Sequence, residues 1–204
     1  LGDPVLSLYN AQGTRLDTND DWSAADASAM SGVGAFALTP GSRDAALLVT
    51  LAPGAYTAQV SGTNGTSGVA LLEIYDVTGP ARLINLSTRA LVGTGNGALI
   101  AGLVIAPGSG SRRLLVRAAG PALAGFNVPG TNPDPALAVL DGQGRQLAAN
   151  DNWDTAGSGG PLAGAFTQAG AFPFSSDSAD AALVVDLPPG SFSIIVSGVG
   201  GATG

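Results

Sequence analysis

The chain has no cysteine and no histidine, its eight basic residues are all arginine, and Glu73 is its only glutamate. Without cysteine there is no disulfide, no thiolate metal site and no thiol nucleophile. Without histidine and lysine, the commonest general bases and the amines that form Schiff bases are missing as well. No Gly-x-Ser-x-Gly elbow or Walker-type loop is present, because Gly93-Thr94-Gly95-Asn96-Gly97 lacks both the spacing and the lysine. Two carboxylates can cleave a glycoside. Here, however, the aspartates lie in turns of a duplicated unit, and Glu73 belongs to one copy only. The composition therefore points away from catalysis.

Charge is also scarce, at 11% of residues, with a net charge of −7. An acidic surface repels phosphate backbones, so no nucleic-acid partner is expected. Arg82, Arg89, Arg112, Arg113 and Arg117 gather in the middle of the chain, where they alternate along strand faces and can pair with the surplus aspartates. Arg89 and Arg117 sit within apolar runs and need a carboxylate or carbonyl partner if buried. No apolar run approaches the ~20 residues of a membrane-spanning helix, so no membrane span is expected in this segment. Lack of cysteine does not argue against an extracellular location, since only domains with poor cores depend on disulfides.

What the chain does contain is one paragraph written twice. Asp3-Pro4-Val5-Leu6-Ser7-Leu8-Tyr9 returns 131 residues later as Asp134-Pro135-Ala136-Leu137-Ala138-Val139-Leu140, and Asn19-Asp20-Asp21-Trp22 returns as Asn150-Asp151-Asn152-Trp153. After an insertion of five residues, Asp44-Ala45-Ala46-Leu47 returns as Asp180-Ala181-Ala182-Leu183, and Val60-Ser61-Gly62 as Val196-Ser197-Gly198. A period of this length implies one small domain per repeat, not a thin solenoid turn. The match stops at Gly68 and Gly204, so the chain starts and ends within its own period. That pattern suggests a slice of a longer array, or a subunit completed by its neighbours.

Alternating apolar residues and Gly-rich turns predict strands over 4–9, 16–18, 45–51, 56–60, 69–77, 83–91, 98–105 and 112–118, most of the first five with counterparts in the second copy. Short helical turns are expected near 24–31, with Ser23 or Asp21 as N-cap, and near 161–168. Turn signals at this spacing, with β-branched runs, predict an all-β chain of two antiparallel β-sandwich units of jelly-roll or Greek-key type in tandem. The first unit would span residues 1–78 and the second 79–204. About eight strands would make a complete period; the second copy lacks the last of them, the equivalent of 69–77. An open edge of this kind exposes unpaired backbone and an apolar groove. Val69, Leu71, Leu72, Ile74 and Tyr75 are the expected contact residues of a donated or shared strand.

The clustered oxygens of Asn19, Asp20, Asp21, Asn150, Asp151 and Asn152, with Asp3 and Asp134 on the neighbouring strand, are the kind of set that calcium requires. Such Asx side chains also cap turns, and the adjacent Trp can plug a core. Two tryptophans at equivalent positions suit a structural role better than a sugar-stacking platform.

The stretch 3–76 resembles the bacterial pre-peptidase C-terminal (PPC) type of β-sandwich module, through Leu6-Ser7-Leu8-Tyr9-Asn10-Ala11-Gln12-Gly13, Asn19-Asp20-Asp21 and Leu51-Ala52-Pro53-Gly54-Ala55-Tyr56. The whole chain is similar to a longer repeat of large secreted or surface proteins of environmental bacteria. The linking part of that repeat matches Arg82-Leu83-Ile84-Asn85-Leu86-Ser87-Thr88-Arg89-Ala90 and Leu115-Val116-Arg117-Ala118-Ala119-Gly120-Pro121. The resemblance implies a non-catalytic appendage at the cell surface or outside the cell, sometimes with bound calcium. Two functions follow as expectations. One is an assembly module whose partners are copies of itself, or neighbouring repeats, joined by strand complementation. The alternative is a calcium-dependent carbohydrate-binding or adhesion module attached to a secreted enzyme.

Overall fold

A computed structural model describes residues 1–77, 84–154 and 160–204. The chain is all-β, built of antiparallel sheets with a few short helices. It divides into two compact units, Leu1–Leu86 and Ser87–Gly204. The boundary expected at 78/79 lies outside the described residues, as do Leu83 and Arg82.

The second unit contains β4 (Leu99–Ile105), β5 (Arg112–Ala118), β6 (Pro135–Asp141), β7 (Gln146–Asn150), β8 (Ala181–Leu187) and β9 (Gly190–Gly198). The first contains β1 (Pro4–Asn10), β2 (Arg15–Asn19) and β3 (Tyr56–Gly62). In the second unit a four-stranded sheet, ordered β4-β9-β6-β7, faces a two-stranded sheet of β5 and β8. Period-2 alternation decides what meets between them. Leu137 and Val139 of β6, Ile105 of β4 and Phe192 of β9 pack against Val116 and Ala118 of β5 and against Ala181, Leu183 and Leu187 of β8. This is a two-layer sandwich with a closed apolar core.

Ala182 points to the opposite face of β8, where it meets a second cluster of Trp153, Phe166 and Phe174. Helix α2 (Gly160–Ala169) supplies Phe166, with Leu162 one turn earlier on the same face. At ten residues it is longer than the short turn expected there. Its counterpart α1 (Ala27–Gly32) is short and follows a 3-10 turn, Ala24–Asp26, capped by the Ser23 hydroxyl, which accepts from Ala25 N–H. The aromatic packing surface under Phe166 explains the difference: a longer amphipathic helix has something to bury.

The first unit repeats part of this plan. Its sheet is ordered β2-β1-β3, the same arrangement as β7-β6-β9. The β-bulge after Leu8 recurs after Val139. At both hairpin tips an Asx side chain closes the turn. Asn10 Oδ1 accepts from the Gln12 and Thr14 amides, as Asp141 Oδ1 does from Gln143 and Arg145. Gly13 and Gly144, with φ of 75° and 78°, take the left-handed position that such a turn requires.

Three expected strands are absent among the described residues: 45–51, 69–77 and 84–91. The reason is pairing, not composition. β8, the counterpart of 45–51, is a strand because β5 lies beside it in a seven-residue register from Arg112↔Leu187 to Ala118↔Ala181. Nothing equivalent to β5 occurs among the described residues of the first unit, so there the same sequence type has no ladder to join. Of the seven strands expected in the second unit, six are present among its described residues, and 84–91 is the one that does not form.

Candidate functional site

The residues singled out as calcium candidates form a repeated backbone clasp. Asn19 Nδ2 donates to the Asp21 carbonyl at 2.8 Å, and its Oδ1 accepts from Ala46 N–H at 3.0 Å. Asn150 does the same with the Asn152 carbonyl and Ala182 N–H, both at 2.9 Å. Trp22 N–H donates to the Asp44 carbonyl at 2.7 Å, and Trp153 N–H to that of Asp180 at 2.8 Å. The indoles also correspond, Trp22 Nε1 donating to Thr39 O and Trp153 Nε1 to Ser175 O. The clasp ties the end of one hairpin to the segment that follows the helix, and it uses both ends of each asparagine amide.

Asp20, Asp21, Asp151 and Asn152 are exposed on these turns. Asp3 turns to Arg43, with which it forms an ion pair, and accepts from the Thr63 hydroxyl at 3.0 Å. The Arg43 guanidinium holds the Asp3 carboxyl below its ordinary value. Arg43 in turn is raised, chiefly by its bond to Asp3, with a weaker contribution from Asp21. Asp134 keeps one buried carboxylate oxygen without a hydrogen-bond partner. The eight candidates thus divide between the two copies, and among the described residues no group of three carboxylates gathers to hold a metal ion.

Two groups, one buried and one half-buried, distinguish the copies more sharply. Asp180 is fully buried. Its carboxylate accepts from Gly120 N–H at 2.7 Å, from Ala122 N–H at 3.2 Å and from the Ser178 hydroxyl at 2.7 Å. It thereby pins the turn after β5, which continues as the 3-10 segment Pro121–Phe126, to the start of β8. The signal was present in the sequence as a repeated Ser-x-Asp-Ala-Ala, Ser42 to Ala46 and Ser178 to Ala182. Asp44 likewise accepts from Ser42 at 2.6 Å, yet it is exposed.

The second group is Arg117. Its guanidinium lies 4.3 Å from the ring centroid of Phe166, 4.3 Å from that of Phe172 and 3.9 Å from that of Phe174. One of its nitrogens donates to the Phe172 carbonyl at 2.7 Å, which is the carbonyl partner expected for it. Burial pushes its pKa down, while the charge of Asp180 opposes that shift. Arg117→Lys keeps the charge but loses the flat cation against three rings, and should destabilise the second unit by about 1–2 kcal/mol. Urea denaturation followed through Trp153 fluorescence in a Trp22→Phe background measures it; an unchanged midpoint would show that the rings contribute only apolar packing.

Several of the most exposed large apolar residues lie in two stretches outside the sheets. Val69 is 93% exposed and Leu71 72%, with Leu72, Ile74 and Tyr75 also exposed; Ile84 at 85% and Leu91 at 84% follow. Tyr75 donates to Glu73 at 3.1 Å, and the N-terminal amine of Leu1 donates to the Val69 carbonyl at 2.7 Å. Val92, in contrast, is buried and exchanges two backbone hydrogen bonds with Gly204.

The fold defines an all-β protein of antiparallel sheets, with exposed apolar side chains over 69–77. Comparison with protein-family models, curated proteins and solved structures found no match. No helix among the described residues is long and apolar enough to cross a membrane.

Proposed function

We propose that this chain is a non-catalytic, PPC-like structural module of an exported surface protein, and that it assembles with copies of itself through β-strand complementation. The observation that carries this reading is the exposed segment 69–77. It has strand composition and alternation, no sheet partner, and side chains as exposed as Val69 and Leu71. A segment of this kind in water is an unfilled half of a ladder. Added to an open sheet edge of a neighbouring copy, it gains backbone hydrogen bonds for affinity and alternating side chains for register. Strand β4, at the outer side of the four-stranded sheet and with Ile100 and Val104 exposed, offers such an edge. A contact made head to tail does not close on itself and extends into a filament.

Sedimentation velocity and negative-stain electron microscopy of the purified chain test this reading. Concentration-dependent oligomers or filaments are expected, and Leu71→Asp with Ile74→Asp should abolish them, since each places a charge where an apolar side chain must be buried. A chain that stays monomeric at every concentration tested overturns the proposal.

A further inference from the structure

We infer that the first unit is an acceptor for an additional hairpin of the β4–β5 kind, carried by another repeat of this type. The second unit displays what is missing. There, β4 covers the outer edge of β9 from Leu99↔Val196 to Ile105↔Gly190, and β5 covers β8 from Arg112↔Leu187 to Ala118↔Ala181. Among the described residues of the first unit, β3, the counterpart of β9, is an edge strand with no neighbour on that side, and residues 45–51, the counterpart of β8, have no sheet partner.

Three independent features of the first unit point to the same occupant. The apolar residues that β4 and β5 would cover are open: Leu48 is 53% exposed and Leu51 41%, whereas Leu187, the counterpart of Leu51, is 1% exposed. The Asp44 carboxylate is exposed, whereas that of Asp180 is buried under the amides of Gly120 and Ala122, which directly follow β5. A shallow cavity of about 70 Å³ lies beside Trp22, lined by Met30 and Leu38. In the second unit the corresponding Trp153, Phe166 and Phe174 are buried and packed against by Leu115 of β5.

A single strand such as 69–77 satisfies only one of these edges. One continuous segment running from β4 through β5 to the Gly120–Pro121 turn satisfies both edges, the carboxylate and the cavity, as it does in the second unit. The register follows from the repeat. The residue equivalent to Leu99 lies opposite Val60, and the one equivalent to Leu103 opposite Tyr56. On the second edge, the equivalent of Val116 lies opposite Leu47 and that of Ala118 opposite Ala45. This inference shares with the assembly proposal the premise that repeats complete one another, but it uses a different surface, so each fails separately.

The test fuses a second copy of residues 92–131 directly ahead of Leu1 in the full chain, which places Leu1 where Asn132 stands in the second unit. Hydrogen exchange by mass spectrometry then compares 45–51 with Ala181–Leu187. Exchange over 45–51 should slow by ~100-fold or more relative to the parent chain, to a rate near that of β8. Asp44→Ala should remove that protection in the fusion and change nothing in the parent. A synthetic peptide of residues 92–131 added to the parent chain gives the same reading in trans. If 45–51 exchanges as fast as in the parent with both fusion and peptide, or if the protection survives Asp44→Ala, the inference is overturned. It is also overturned if the parent chain alone gains protection at 45–51 on self-association and Leu71→Asp removes it, because the occupant is then the 69–77 strand.

Discussion

Asp180→Ala should cost the second unit about 3–5 kcal/mol, whereas Asp44→Ala should cost less than about 0.5 kcal/mol. The two aspartates occupy the same place in the repeat, and each accepts from the serine two residues before it, Ser42 and Ser178. Only Asp180 is sealed from water, and only Asp180 receives two backbone amides from a distant segment. Removing it leaves Gly120 N–H, Ala122 N–H and the Ser178 hydroxyl without their acceptor, and a buried unpaired donor costs about 1–3 kcal/mol. Asp44 lies in solvent, so water replaces whatever the mutation removes. A loss of this size approaches the whole stability of many domains. Asp180→Asn should fall between the two, since the amide keeps one acceptor oxygen but turns a donor towards backbone N–H groups. Urea denaturation, with hydrogen exchange resolving Ala181–Leu187 from 45–51, reads both variants. Equal losses for Asp180→Ala and Asp44→Ala would show that the carboxylate acts through its serine alone.

Leu187→Ala should destabilise by about 2–5 kcal/mol, and its counterpart Leu51→Ala by less than about 1 kcal/mol. Leu187 is 1% exposed at the centre of the sandwich core, against neighbours from both sheets. Truncation there loses the transfer free energy of the side chain and leaves a cavity that packed strands only partly fill. Leu51 is 41% exposed and borders no second sheet. Chemical denaturation midpoints of the two variants give the comparison directly. Were Leu51→Ala as costly as Leu187→Ala, the first unit would have a closed core in solution, and its role as an acceptor would fail.

The sequence was most informative where structure is local. The hairpins at Asn10 and Asp141 are written in four residues each, because an Asx side chain and a glycine with positive φ suffice to close the turn. The strands 4–9 and 56–60 were legible from alternation, and they form because each lies beside a partner within its own copy. The expectation for 45–51 was right about propensity and wrong about outcome. Seven residues of good strand composition remain unpaired when the other half of the ladder is missing, since strand stability resides in cross-strand pairs. The roles of Asn19 and Asn150 were similarly underdetermined. Oxygen-rich turns suit a cation or a backbone amide equally well, and only the position of Ala46 and Ala182 N–H identifies what these oxygens accept.

Sequence by itself determined the repeat, the all-β class, the hairpin turns and the scarcity of catalytic groups, because each of these follows from composition or from contacts within a few residues. The tertiary structure decided which copy closes its core. Asp44 and Asp180, Leu51 and Leu187, and Trp22 and Trp153 are matched in sequence, yet the second member of each pair is buried while Asp44 and Leu51 are exposed and Trp22 is only half-buried. The physical reason is the presence of β4 and β5 in one unit alone: burial of a repeated residue depends on a segment that is not adjacent to it in the chain.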